Sequence, residues 1–294
     1  MSYLFALLPS LYTVRRHLPH DSRLHVSVFL GQQECVAAGV RAYLNALGVV
    51  VEIARVPEEH ISRESVLSRC NRQFSRLLQD RPEGDVFYLD ADCYLRREPT
   101  WVWTEGDVIF GSRESTREQA AQAFPEFCRR LGVAFLWSRE YCGSCLYVKG
   151  CAKLLYAENL RRLLRQNVPF FYYDDMHYRL AAALLSGARI GVAPKELEYK
   201  VVFADYKSND PEMLHLCFSL DWYRNDRSYL WFLEIVRDFL VAHPGLAPYL
   251  DPVWIEDVRR FTATVPQVAP MPVALGSAEQ ARNVQAAIER PPTS

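Results

Sequence analysis

Residues 85–95 read Asp85-Val86-Phe87-Tyr88-Leu89-Asp90-Ala91-Asp92-Cys93-Tyr94-Leu95, an apolar run that meets two carboxylates one residue apart. The apolar part predicts a buried strand. Two unpaired carboxylates at its end are costly to bury unless a cation or hydrogen bonds satisfy them. Side chains alternate along a strand, so Asp90 and Asp92 are expected on one face, with Ala91 leaving room between them. Two acids converging at a strand end make a seat for a hard divalent cation and the phosphates it carries. The simpler alternative is a strand end whose acids only accept loop hydrogen bonds.

Outward from this stretch, toward the N-terminus, strands alternate with helices. Tyr3 to Leu8 reads as a buried strand, and Ser10 to Leu18 as a short helix. His25 to Leu30 reads as a second strand, closed by Gly31. Val36, Val40, Tyr43, Leu44 and Leu47 give Cys35 to Leu47 a helical period, which Gly48 stops. Val49 to Val56 is a third strand. Ser65 to Leu78 repeats the helical pattern through Val66, Leu67, Cys70, Phe74, Leu77 and Leu78. Such alternation implies right-handed βαβ units, an α/β fold and a mostly parallel, Rossmann-like central sheet flanked by helices, with ligands at the carboxyl ends of strands.

The C-terminal half is expected to be mixed. Strands are predicted at Val108–Gly111, Ser144–Val148 and Leu214–Phe218. Helices are predicted at Ser115–Leu131, Cys151–Arg165, Asp174–Ser186 and Tyr229–Val241. From about Val265 onward Pro, Ala, Gln and Ser dominate, which predicts a loosely ordered tail over 265–294 with a short helix at Ser277–Ile288.

A chain of 294 residues, half of them hydrophobic, can bury a sizeable core in one large α/β domain or two small ones. A net charge of -1 argues against strong nonspecific binding of nucleic acid. The eight cysteines, Cys35, Cys70, Cys93, Cys128, Cys142, Cys145, Cys151 and Cys217, are scattered through apolar segments. That fits reduced thiols and a cytoplasmic location better than a disulfide scaffold. The run Tyr3 to Leu8 lacks a preceding basic residue and is closed by Pro9, so no signal peptide is expected. No stretch reaches the ~18 apolar residues of a membrane span.

Tyr88-Leu89-Asp90-Ala91-Asp92 resembles the DxD motif of GT-A-fold, nucleotide-sugar-dependent glycosyltransferases. A lone Asp-x-Asp is common by chance, but three later segments match in order. Cys142-Gly143-Ser144-Cys145-Leu146-Tyr147-Val148 looks like the family's Asn-Ser-Gly-hydrophobic strand, and Asp174-Asp175-Met176-His177 like its acidic helix start. Leu214-His215-Leu216-Cys217-Phe218, followed by Trp222, looks like the late His-containing strand. The order is most similar to the retaining branch that includes bacterial lipopolysaccharide galactosyltransferases and glycogenin. The resemblance covers about residues 3–224 and departs in two places. The family's Gly-rich phosphate loop is Phe218-Ser219-Leu220-Asp221 here, and its usual Gln is Asp175 or Met176.

The resemblance implies a GT-A-like catalytic domain over 1–264, with a nucleotide-binding half at 1–95 and an acceptor- and metal-completing half at 96–264. It implies transfer of a sugar from a nucleotide-sugar donor, UDP-linked by preference, to an acceptor hydroxyl with retention. Asp92 and His215 would be metal ligands, and Asp90 a ligand or a ribose contact. Asn71, Arg72 and Ser144 would face the donor, and Lys200, Lys207 and Arg72 would compensate phosphate charge. Asp174 or Asp175 would stabilise the oxocarbenium-like sugar. The cofactor implied is Mn²⁺ or Mg²⁺, which neutralises the departing diphosphate; one imidazole ligand favours Mn²⁺.

Competing readings stay open at this level. Asp174 and Asp175 suit any helix N-terminus. Cys142 and Cys145 also match a redox Cys-x-x-Cys, or a zinc site with Cys128 and Cys151. Phe170-Phe171-Tyr172-Tyr173 is either core or a sugar-stacking run. Nucleotidyl transfer would call for a basic Gly-rich loop after the first strand, where the chain has Leu8-Pro9-Ser10. A non-catalytic nucleotide-binding module and a transferase acting on a modified nucleic-acid base are the two alternatives. The acceptor itself, whether glycan, lipid-linked, protein or nucleic acid, is not named by the residues.

Overall fold

The computed structural model describes residues 4–19, 21–30, 35–55, 63–80, 83–100, 105–111, 118–133, 142–166, 174–194, 197–200, 208–216 and 221–264. The N-terminal apolar run is helical: α1 spans Leu4–His17, so the expected strand at 3–8 and the separate helix at 10–18 are one element. A short apolar run has no period that separates a buried strand from a buried helix. Pro9 falls in the second turn, where it removes one backbone donor without ending the helix. Arg15 and Arg16 in the last turn complement the helix dipole.

Next come β1 (His25–Leu30), α2 (Ala38–Ala46), β2 (Val50–Arg55) and α3 (Arg63–Asp80), close to the expected bounds. β1 and β2 pair in parallel, from His25 opposite Val50 to Leu30 opposite Arg55. Gly48 stops α2 as expected, at a φ of 65° that a glycine tolerates without strain.

β3 (Val86–Leu89) and β4 (Cys93–Leu95) replace the single expected strand, and the acids lie in the turn between them. The Cys93 N–H donates to the Asp90 carbonyl at 3.1 Å and closes that turn. Strand alternation therefore does not apply to Asp90 and Asp92. The turn also changes sheets. β3 joins a four-stranded sheet, ordered β3-β6-β5-β7, with β5 at Val108–Gly111, β6 at Cys142–Val148 and β7 at Ile190–Val192. β4 joins a three-stranded sheet, ordered β4-β9-β8, with β8 at Glu198–Lys200 and β9 at Met213–His215. The fold is mixed α/β. Among the described residues, β1·β2, β5·β7 and β8·β9 pair in parallel, and β3·β6, β5·β6 and β4·β9 are antiparallel.

The remaining helices are α4 (Glu118–Leu131), α5 (Gly150–Gln166), α6 (Asp174–Leu185), α7 (Ser228–Ala242) and α8 (Pro252–Thr264). Short 3-10 helices occupy Asp221–Asn225 and Pro244–Tyr249. Two apolar cores result. One gathers Leu8, Val26, Tyr43, Tyr94, Leu214, Phe232 and Trp254 beneath the three-stranded sheet. The other gathers Phe74, Phe110, Phe127, Leu146, Tyr156 and Leu160 around the four-stranded sheet. The cores interleave along the chain.

α1 closes the free side of β4. The Ser10 hydroxyl donates to the Cys93 carbonyl at 2.7 Å, and the Leu95 N–H donates to Thr13 Oγ1 at 3.1 Å. These hydroxyls sit three residues apart, on one helix face. The Tyr94 hydroxyl reaches back to the Ala6 carbonyl at 3.2 Å. Among the described residues no helix is long and apolar enough to cross a membrane. The tail at 265–294, with its expected helix at Ser277–Ile288, and the aromatic run 170–173 lie outside the described residues.

Candidate metal and nucleotide site

β9 brings His215 to the turn. Cys93 stands opposite His215 in the antiparallel β4·β9 pair. The flanking bonds run from Leu216 N–H to the Asp92 carbonyl at 3.3 Å and from Arg96 N–H to the Glu212 carbonyl at 2.8 Å. Cys93 and His215 are therefore a non-hydrogen-bonded pair, the closer of the two antiparallel spacings, with both side chains on one face. The turn swings Asp92 to the same place: its Oδ1 lies 3.6 Å from His215 Nε2. Asp92, Cys93 and His215 each offer one ligand atom, and all three atoms lie within 4.8 Å of one another. Among the described residues it is the sole such group of His, Cys, Asp or Glu.

Asp90 belongs to different surroundings. The Tyr88 hydroxyl donates to Asp90 Oδ1 at 2.7 Å. Burial, and then the Asp90 charge, push the Tyr88 phenol well above its usual pKa, against the opposing pull of Arg179. Tyr88 therefore stays protonated as a donor. The Arg179 guanidinium from α6 lies 4.0 Å from the centre of the Tyr88 ring, and its Nε donates to Asn71 Oδ1 at 2.8 Å. Asn71 and Arg179 are fully buried. Asn71 thus serves Arg179, between α3 and α6, and is not open to solvent. Arg72, the next residue, is exposed on the other side of α3.

Lys200 is fully buried and paired with Glu198, itself buried, at 2.7 Å. Its register partner on β9 is His215. The Cys145 thiol approaches Glu198 Oε1 at 3.7 Å. Lys200 is therefore near the site but engaged by an acid of its own strand, not presented to an incoming phosphate.

Asp174 and Asp175 are the first residues of α6, as expected, and their side chains lie outside the described part of the structure. So does the side chain of Ser144, on β6, and so do Lys207 and the side chain of Trp222. Cys142 and Cys145 both fall on β6. β6 shifts register against β5 between Cys142 and Leu146, and the side chain of Cys142 lies outside the described part of the structure; a strand is not the helix N-terminus at which a redox Cys-x-x-Cys is activated. Cys128 is buried, which pushes its thiol up to about 12 and leaves it inert. Cys151 is exposed on α5. Sequence reasoning missed Cys93 and Arg179. Cys93 read as strand filler, and only its register with His215 marks it. No local signal marks Arg179.

No protein-family model matches the chain, and no curated protein matches it. Among solved structures, one similar chain is the galactosyltransferase LgtC, crystallised with donor and acceptor sugar analogues. It is 16% identical, and the match covers 73% of this chain and 84% of that one at a TM-score of 0.48. Likeness at that level carries no inference about the function of this chain.

Proposed function

We propose that this chain is a metal-dependent glycosyltransferase on a GT-A-like fold. It takes a nucleotide-sugar donor, UDP-linked by preference, and transfers the sugar to an acceptor hydroxyl with retention. The observation that carries the reading is the approach of Asp92 to His215, residues distant in sequence and 3.6 Å apart in space. The motif resemblance requires that proximity, and nothing in the local sequence does. A carboxylate oxygen and an imidazole nitrogen, partly buried and facing each other, suit a divalent cation.

When bound, the cation supplies the positive charge that a departing diphosphate needs. The residues of the chain do the positioning. Asp92 and His215 hold the cation at the seam between the two sheets. Asp90, oriented by Tyr88, is the candidate ribose contact. Asp174 and Asp175, at the start of α6, are the candidates for stabilising positive charge that develops at the anomeric carbon. With Lys200 held by Glu198, Arg72, exposed on α3, is the remaining candidate for phosphate charge among the described residues.

The test is Asp92→Asn, which keeps the shape of the side chain and removes its charge. Mn²⁺-dependent hydrolysis or transfer of a UDP-sugar should fall at least ~100-fold, the scale on which even outer metal-shell changes act. Unchanged turnover would overturn the assignment.

A second reading is a nucleotide-binding module without catalysis. It is favoured by Phe218-Ser219-Leu220-Asp221 in place of the Gly-rich loop and by the engagement of Lys200 with Glu198. Calorimetry that finds UDP binding in a chain with no turnover of any nucleotide sugar would select it.

A further inference from the structure

The resemblance implies Mn²⁺ or Mg²⁺, ions of oxygen-rich sites, yet one of the three donors that converge here is a thiol. Mg²⁺ demands near-octahedral oxygen ligation, and Mn²⁺ prefers carboxylate, carbonyl and water. One carboxylate oxygen, one imidazole nitrogen and one sulfur form a donor set for borderline ions such as Zn²⁺. The distances agree. Two ligands held at about 2.1 Å from a tetrahedral ion stand about 3.4 Å from each other. Asp92 Oδ1 and His215 Nε2 stand 3.6 Å apart.

The thiol is held in place by its backbone. The Cys93 N–H is bound to the Asp90 carbonyl at 3.1 Å, and the Cys93 carbonyl accepts from Ser10 at 2.7 Å. The register opposite His215 then fixes the direction of its side chain. The surroundings are also asymmetric. Cys93 is fully buried, whereas the side chains of Asp92 and His215 are each 13% exposed. The group is closed on the sulfur side and open on the carboxylate and imidazole side. Three protein ligands with one open position are the arrangement of a catalytic zinc rather than a structural one.

We propose that Asp92, Cys93 and His215 form a three-ligand site for a thiophilic divalent cation, Zn²⁺ or Co²⁺, whose fourth position opens toward the diphosphate. On binding, the Cys93 S–H gives its proton to solvent and a sulfur–metal bond forms. No electron is transferred. The purpose of the site rests on the glycosyltransferase reading, but the identity of the cation rests on the donor set alone.

The experiment is Co²⁺ titration of the metal-stripped full chain, with the exposed Cys35 and Cys151 replaced by Ser. Intense visible absorption of four-coordinate Co²⁺ should appear together with a near-ultraviolet thiolate-to-cobalt charge-transfer band. Cys93→Ser should abolish that band and lower the ratio of Zn²⁺ to Mn²⁺ affinity at least ~10-fold, whereas Cys145→Ser should keep both. Because the band is read on a chain with Cys93 intact, a misfolded Cys93→Ser variant does not shield the proposal. Co²⁺ binding without the band would overturn the thiol ligand and leave the glycosyltransferase reading standing. No binding of Co²⁺, Zn²⁺ or Mn²⁺ would overturn both.

Discussion

Asp90 and Asp92 are separated by one alanine, yet they belong to different halves of the molecule. Asp90 closes the four-stranded sheet, and a fixed donor meets its charge: Tyr88, backed by Arg179 and Asn71. Asp92 opens the three-stranded sheet and faces His215 across 3.6 Å, beyond hydrogen-bond length and close to the spacing of two ligands on one ion. One acid is satisfied within the fold. The other is held beside donors that a cation would bring together. The difference teaches that a pair of acids in a motif need not act as a pair. The turn between β3 and β4 is a seam, and each side chain answers to its own sheet.

The largest effect is expected on the Asp92 side. Lys200→Met leaves Glu198 charged and buried beside β9, which should cost about 3–5 kcal/mol in urea unfolding. Adding Glu198→Leu should recover most of that loss, because a buried pair is often replaceable by apolar side chains. A Lys200→Met chain of normal stability would show that the buried pair does not stabilise the three-stranded sheet.

The core beneath the same sheet should also respond to pH. Burial against Tyr12, Tyr43 and Phe239 lowers His243 to about 4 from an ordinary value of 6.5. The unfolded chain therefore binds this proton more readily between those values. The stabilisation is complete above pH 6.5 and drains away as pH falls toward 4, by about 3 kcal/mol in all. Measured stability between pH 7 and pH 4 should fall less steeply in His243→Phe. His17, also lowered to about 4 by burial and Arg16, titrates in the same window and leaves a residual slope, smaller because it is only partly buried. An identical slope in both chains would move the acid sensitivity elsewhere.

The smallest effect sharpens the Asp90 side. Tyr88→Phe deletes one hydrogen bond to a carboxylate and should cost about 1.5–3 kcal/mol, with cation affinity changed less than ~10-fold. A larger loss of cation affinity, measured by calorimetry, would mean that Asp90 is a ligand after all and that the two acids do act together.

Most of the fold was legible because amphipathic period and glycine stops act locally. α2, α3, α5, α6 and α7, and strands β1, β2, β5 and β6, fall close to their expected bounds. The misreading of α1 came from a run of apolar residues buried on nearly every side, which carries no period. β8 was invisible for another reason: Glu198-Tyr199-Lys200 has two charges in three residues, and their pairing in the fold helps make burial tolerable. α8, β7 and the 3-10 helices were not anticipated at all. At the candidate site, the approach of Asp92 to His215 was expected from the order of motifs. Cys93 and Arg179 were not, because one acts through strand register and the other through a contact between helices, and neither leaves a mark on neighbouring sequence.

The hydroxyls of Ser10 and Thr13 have a consequence beyond holding α1 in place. β4 is a border strand of three residues, and a border strand with open backbone groups invites a foreign chain to add to it. Here two side chains fill those positions, and β9 fills the other side. The end of the molecule that carries Asp92, Cys93 and His215 is thereby closed to strand exchange between copies, and the closure is supplied by the part of α1 that already reads as helix in the sequence.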